Sequence, residues 1–344
     1  MILHISYPAK FLPEYRDFIG RHFNSHQHHF LFLGSDGGHY IEASNCYFMP
    51  SNLTGYLKLF LYLLQAKKII LHGLFSEKLM LALTCIWWLP SKCYWVVWGG
   101  DLYGHLTEDY QKPSIAERLK KFIIPRLSGV ITYLEGDFQR AKEWYGARSP
   151  KYHCIAYLSN VYRGDNLSFN VATSNLTELL VMVGNSADPS NCHTEILHKL
   201  NILQESANFK LICPLSYGDQ SHALQVKALG ESLFDEKFKA LINFMPLNEY
   251  MQIIESIDIA VFAHKRQQAM GNTLQLLGAG KKLVIRRGTA QYELFSKLGV
   301  SFQTFEDFTL EPLSPSEALK NHKKIRTVFA ETRLVEQWRA IFNA

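Results

Sequence analysis

A chain of 344 residues, 47% apolar and 19% charged, has material for about two packed domains, which excludes a disordered or fibrous protein. Lys and Arg (36) outnumber Asp and Glu (31) only slightly, short of the dense basic stripe of a nucleic-acid binder, so nucleic acid is excluded as a partner. The six cysteines show no CxxC pair, the N-terminal MILHISYPAK lacks the pattern of a signal peptide, and no apolar run approaches ~20 residues. Reduced thiols and a soluble or peripheral protein are expected.

The first half alternates strand and helix. Ile2–Ser6 reads as a strand, Glu14–Phe23 as a helix, and Phe30–Leu33 as a strand entering the turn Gly34-Ser35-Asp36-Gly37-Gly38. Helix Leu53–Gln65, strand Lys68–His72, helix Glu77–Trp87 and strand Tyr94–Trp98 follow, the last closed by Gly99-Gly100. Then come a basic amphipathic helix Ile115–Leu127, strand Gly129–Tyr133 and helix Asp137–Tyr145. From Arg163 to Thr177 the composition turns to Asn, Ser, Thr, Asp and Gly, as in a linker.

The second half restarts the rhythm. Strand Leu179–Val183 meets Gly184-Asn185-Ser186, and a helix begins near Ser190. Strand Phe209–Cys213, helix Ala223–Leu233, strand Leu241–Phe244 and helix Asn248–Glu255 follow. Strand Ile257–Phe262, helix Thr273–Ala279, strand Lys282–Ile285 and a helical tail Ser316–Phe342 complete the chain. This βαβα order implies two doubly wound, Rossmann-like α/β domains facing a cleft, at residues 1–165 and 176–315, with 316–344 packing back on the first. That plan suits GT-B glycosyltransferases and some epimerases.

Chemistry concentrates at strand ends. After Phe262 come Lys265 and Arg266, then Gln268 and a helix opened by Gly271, Asn272 and Thr273. Cations beside free helix N–H groups suit a departing diphosphate, although a solvated βα loop looks the same. The small residues Gly184, Asn185 and Ser186 could approach phosphate or sugar, or merely precede a capped helix. Tyr217 and the Phe244–Leu247 turn are placed to contact a base or ribose. Asp101, after Trp98-Gly99-Gly100, is the preferred proton acceptor, with His72 second. A turn cap and a structural histidine are the plainer readings of these two. His22, His26, His28, His29 and His39 lack ligand spacing and read as surface polarity. No DxD occurs, so no metal and no cofactor is expected. Arg118, Lys120, Lys121 and Arg126 punctuate the apolar helix at 115–127, which suits either an anionic membrane surface or packing on the sheet.

WVVWGGDLY (Trp95–Tyr103), LVMVGNSADPSNCH (Leu180–His193) and RQQAMGNTL (Arg266–Leu274) resemble, in order, landmarks of the bacterial 4-acetamido-4,6-dideoxy-D-galactose transferases of glycosyltransferase family 56. The resemblance implies a GT-B fold, a dTDP-sugar donor and an undecaprenyl-diphosphate-linked saccharide acceptor. It implies work in enterobacterial common antigen synthesis, as a peripheral protein at the cytoplasmic face of the inner membrane. His72, Trp98, Asp101, Tyr103, Gly184, Asn185, Ser186, Asp188, Asn191, Gln267, Gln268 and Gly271 stand at matched positions. The rival readings are a nucleotide-sugar 2-epimerase and a non-catalytic sugar-binding subunit.

Overall fold

The computed structural model describes residues 1–9, 11–34, 45–49, 52–104, 114–164 and 178–344. The expected turn beyond Gly34, His39, and the linker from 165 to 177 lie outside these. The chain divides into two compact units, Met1–Asn160 with Glu331–Ala344, and Val161–Ala330.

In the first unit β1 (Ile2–Ser6), β2 (His28–Leu33), β3 (Cys46–Met49), β4 (Lys68–His72), β5 (Cys93–Val96), β6 (Gly129–Ile131) and β7 (Lys151–Tyr152) form one sheet. The strand order is β3-β2-β1-β4-β5-β6-β7, and every pairing is parallel. Helices α1 (Leu12–His22), α2 (Leu53–Gln65), α3 (Glu77–Cys85), α4 (Gly100–Tyr103), α5 (Ile115–Ile123) and α6 (Glu135–Tyr145) join the strands. Helices on both faces bury the sheet, so central strands read as continuous apolar runs such as Ile69-Ile70-Leu71, all fully buried.

The second unit repeats the plan. Its strands are β8 (Leu179–Val183), β9 (Phe209–Pro214), β10 (Phe238–Leu241), β11 (Ile259–Phe262), β12 (Lys282–Ile285) and β13 (Gln303–Thr304). They run parallel in the order β10-β9-β8-β11-β12-β13. Helices α7 (His193–Leu203), α8 (Gln220–Phe234), α9 (Leu247–Ser256), α10 (Met270–Gly278), α11 (Ala290–Leu298) and α12 (Pro315–Val328) cover it, and α13 (Glu331–Asn343) returns to the first unit. In each sheet the strand order reverses once, between β1 and β4 and between β8 and β11. Loops diverge there and leave a crevice at the strand C-termini.

Three expectations need correction. The tail is not one helix: Ser314 and Glu317 form a capping box at α12, the helix ends at Phe329, and α12 stays in the second unit. The strand expected at Leu241–Phe244 lies three residues earlier, which leaves Phe244 in a loop at 76% exposure. The basic helix turns its apolar residues inward, with Ile123 and Ile124 in the core and Leu119 and Phe122 against it. Lys120 is buried too, donating to the Asp101 carbonyl at 2.7 Å and to Glu117 at 2.9 Å. That helix packs on its own unit, with Ile115, Arg118, Lys121 and Arg126 left exposed.

α13 is integral to the first unit. Trp338 is fully buried, and its indole N–H donates to the Ala156 carbonyl at 2.9 Å. Trp338→Ala should cost about 3–5 kcal/mol in chemical denaturation, the scale of deleting a buried tryptophan. An unchanged unfolding midpoint would contradict this packing.

Candidate functional site

The loop after β8 is held by its own side chains. Gly184 has φ +63°, and a Cβ there would meet His193 Nε2 at 2.7 Å and Asn191 Oδ1 at 2.9 Å. Glycine is required on both counts. Asn191 Oδ1 accepts from the Asn185 N–H at 2.9 Å, while Asn191 Nδ2 donates to the Ser186 hydroxyl at 3.2 Å and the Asp188 carbonyl at 2.9 Å. Asn185 Nδ2 donates to the Tyr217 hydroxyl at 2.8 Å, and the Ala187 N–H donates to the Tyr217 carbonyl at 2.8 Å. The loops after β8 and β9 are thereby joined.

The loop after β11 closes on the same point. Arg266 pairs with Asp188 at 2.9 Å. Ser190 Oγ donates to Gln268 Oε1 at 2.6 Å, and Gln291 Nε2 holds the Gln268 carbonyl at 2.7 Å. Burial alone would raise the Asp188 carboxyl, but the Ser190 and Arg266 donors outweigh it and hold it below its ordinary value. Ala269 precedes α10 at φ +57° and supplies no side-chain cap, whereas Asp219, Thr289 and Ser314 cap α8, α11 and α12. The first-turn N–H groups of α10 therefore have no partner within the helix, and a left-handed alanine is strain of the kind that gathers at binding sites.

Asp188, Arg266, Gln268, Asn185, Ser186 and Tyr217 thus form one network at the crevice. Lys265 stands exposed beside it. Tyr217 keeps 46% of its surface exposed, and Phe244 also faces solvent. Gly271 is the second residue of α10, which opens at Met270, and Asn272 donates to the Tyr250 hydroxyl at 2.7 Å. Thr273 is a correction: it is fully buried, and its hydroxyl donates to the Ala269 carbonyl at 2.9 Å, so its side chain cannot reach a ligand.

In the first unit both expected proton acceptors are already occupied. Asp101 is 1% exposed. Its Oδ2 accepts from Trp95 Nε1 at 2.6 Å and Leu74 N at 3.0 Å, and its Oδ1 from Trp98 N and Leu102 N at 3.0 Å each. Four donors fill the four lone-pair positions of a carboxylate. Burial wins at this carboxyl and holds it above its ordinary value, against Trp95, the backbone donors and the Lys120 charge, which pull it down. A protonated Asp101 would have no acceptor for its hydrogen among these four donors. These four bonds tie the loops after β4 and β5 together.

His72 is 2% exposed and forms part of a buried chain. Trp98 Nε1 donates to the Tyr157 hydroxyl at 2.7 Å, and that hydroxyl meets His72 Nδ1 at 2.6 Å. His72 Nε2 meets His4 Nδ1 at 3.1 Å, and His4 Nε2 meets His28 Nδ1 at 3.0 Å. Tryptophan can only donate, so the tautomers that satisfy the chain run Trp98 to Tyr157 to His72 to His4 to His28, all neutral. Burial pushes His72 down to about 3 and His28 to about 4, and His4 well below its ordinary value. His28, expected from sequence to face solvent, is a buried link. Toward solvent the chain ends at Trp98, which packs against Phe11 and Phe75 at ring distances of 5.0 and 5.6 Å.

Two parallel, doubly wound sheets in one chain, each with loops gathered at its reversal, are the layout of the GT-B fold. The family model described as 4-alpha-L-fucosyltransferase, glycosyl transferase group 56, matches residues 63–343, and the chain belongs to that family. Among solved structures, the chain is similar to sucrose-phosphate synthase from Thermosynechococcus elongatus, at 10% identity and TM-score 0.71, covering 99% of this chain and 98% of that one. It is also similar to a glycosyltransferase from Rickettsia africae, at 11% identity and TM-score 0.67, covering 99% and 97%. A third, described as trehalose-6-phosphate from E. coli bound with UDP-2-fluoro glucose, has 11% identity and TM-score 0.64 and covers 99% and 98%. The chain is a glycosyltransferase.

Two outcomes follow. Asp101→Asn keeps one acceptor oxygen but sets an NH2 against two of the four donors, and should destabilise the protein by about 2–4 kcal/mol, with turnover per folded molecule changed less than tenfold. A stable variant that had lost turnover would restore Asp101 as the base. The buried histidines titrate near 6.5 when unfolded but resist protonation when folded. Stability is therefore complete above pH 6.5 and falls as pH drops toward 4, because only the unfolded chain takes up these protons. Each histidine should contribute about 2 kcal/mol of loss between pH 6.5 and 5. Equal denaturation midpoints at pH 7.5 and 5 would contradict the neutral chain.

Proposed function

We propose that the chain transfers 4-acetamido-4,6-dideoxy-D-galactose, or a related deoxy-amino sugar, from a dTDP-sugar to an undecaprenyl-diphosphate-linked saccharide. The setting is surface polysaccharide synthesis of the enterobacterial common antigen type, at the cytoplasmic face of the inner membrane. Membership of group 56 and the three landmark segments support the sugars and carriers. The observation that carries the donor assignment is Arg266, paired with Asp188 beside the uncapped α10 and the Gly184–Ser186 loop.

In this reading the diphosphate takes the first-turn N–H groups of α10 and draws Arg266 from Asp188, with Lys265 adding charge. Tyr217 and Phe244 offer exposed ring faces to the base. As the sugar–oxygen bond breaks, its electron pair moves to the diphosphate, and these cations stabilise the charge that develops. The acceptor hydroxyl oxygen bonds to the freed anomeric carbon and gives its proton to the departing diphosphate or to solvent. With Asp101 and His72 occupied, the catalytic effort falls on the leaving-group side. Trp98 and Phe75 offer aromatic faces to the acceptor in the first unit.

The direct assay incubates the protein with dTDP-sugars, with and without the lipid-linked acceptor. The reading expects dTDP release only when the acceptor is present. Conversion of the nucleotide-sugar alone would mark an epimerase, and binding without turnover a sugar-binding subunit. Arg266→Ala should lower kcat by roughly 10²–10³ while weakening dTDP affinity less. Because protein cations neutralise the leaving group here, activity should survive excess EDTA. Loss reversed by Mn²⁺ would contradict that assignment.

A further inference from the structure

The outer face of α2 is apolar where a surface helix is ordinarily polar. Leu53, Tyr56, Leu57, Phe60, Leu61 and Leu64 follow one helical stripe and are all exposed, from 38% at Leu64 to 84% at Leu53. The opposite stripe, with Leu59 and Leu63, fills the core, so α2 is apolar on both sides. α3 adjoins it: Lys78 Nζ donates to the Tyr56 hydroxyl at 2.8 Å. α3 adds Leu81 at 54% exposure, and the turn after it adds Trp87 at 77%. Half of the exposed large apolar side chains among the described residues fall between Leu53 and Trp87, a concentration that isolated surface residues do not produce.

The charge around this face selects its occupant. From Leu53 to Lys92 the sequence carries five lysines and one carboxylate, Glu77. Lys58, Lys67 and Lys78 are exposed, Lys92 is half-buried over Trp88, and only Lys68 is withdrawn. An apolar stripe rimmed by lysines, with tryptophan at its edge, matches the boundary between anionic headgroups and acyl chains. A second copy of the chain on a two-fold axis would set the same lysines against one another. At the N-terminal ends of α2 and α3 the face meets a cavity of about 330 Å³ lined by Leu33, Met49, Tyr56, Leu59, Phe75 and Leu79. Phe75 also packs on Trp98 at the crevice.

No described helix is long and apolar enough to cross a membrane, so contact by this face would be superficial. We propose that the α2–α3 face, not α5, docks the first unit on an anionic lipid bilayer. The inference deepens the function proposed above, since it gives a lipid-linked acceptor a route to Trp98. Its test needs no acceptor, so the two can fail separately.

Cosedimentation with phosphatidylglycerol–phosphatidylcholine vesicles provides that test. The wild-type chain should bind these and not phosphatidylcholine alone. Leu57→Gln with Leu61→Gln should weaken binding about tenfold or more, and Arg118→Gln with Lys121→Gln on α5 should leave it unchanged. Trp87 supplies a readout that does not depend on the variants folding. Wild-type fluorescence should shift to the blue on anionic vesicles and be quenched by brominated acyl chains, and Trp87→Phe should lose most of that response. The proposal is overturned by a wild-type chain that fails to bind, or that binds neutral vesicles equally well. It is also overturned if the α2 variant binds like wild type, or if the face instead mediates a dimer in sedimentation without vesicle binding. Vesicle binding by a chain lacking transferase activity would sink the proposed function and leave the surface standing.

Discussion

All the pairing in both sheets is parallel, and most of the structure follows from that. Parallel strands need crossovers, crossovers put helices on both faces, and every strand then ends at the same edge. The backbone groups released at that edge must find partners or ligands. Where the strand order reverses, the neighbouring loops leave the sheet on opposite faces, and only their side chains bridge the gap, as Arg266 and Asp188 do at 2.9 Å. The Gly184–Ser186 loop and the Ala263–Arg266 loop flank that point in the second unit, and Tyr7 and His72-Gly73 flank it in the first.

The two crevices meet the same demand in opposite ways. In the first unit most polar groups at the crevice are bonded to one another: Asp101 accepts from four donors, and Trp98, Tyr157, His72, His4 and His28 form one open chain. Such a network gives rigidity and leaves the side chains of Asp101 and His72 engaged. The groups left at its surface are aromatic faces. In the second unit the fit is looser. Arg266 and Asp188 are partly exposed, α10 is uncapped, and Tyr217 and Phe244 present open rings. Exchangeable ion pairs and unpartnered helix N–H groups suit a ligand that arrives charged and leaves more highly charged.

The sequence displayed the architecture well because continuous apolar strands such as Lys68–His72 and Leu179–Val183 bounded by glycine leave little choice of assignment. Short edge strands such as Lys151–Tyr152 and Gln303–Thr304 were not legible, since two residues carry no periodicity. In the second unit, Asn185, Ser186, Tyr217, Arg266 and Gln268, all singled out from sequence, come together in one network. The first-unit chemistry could not be read from sequence. Asp101 at a strand end has the same local sequence whether its oxygens face solvent or four donors, and Tyr157 stands 85 residues from its partner His72. One signal was present: His4 is a lone polar residue inside an apolar central strand, and such a residue needs a buried partner. Which helix leaves an apolar face outward was not legible for a related reason. Basic residues marked Ile115–Leu127, but burial decides which face is free, and α2 carries its apolar excess outward.

The central claim is that the second unit binds a nucleoside diphosphate by exchanging an internal ion pair for the ligand. A crystal structure with dTDP bound measures this directly. The account predicts diphosphate oxygens within hydrogen-bond distance of the α10 first-turn N–H groups and of an Arg266 guanidinium that has left Asp188. Nucleotide bound away from this loop, or bound there with the 2.9 Å Arg266–Asp188 pair intact, would contradict it.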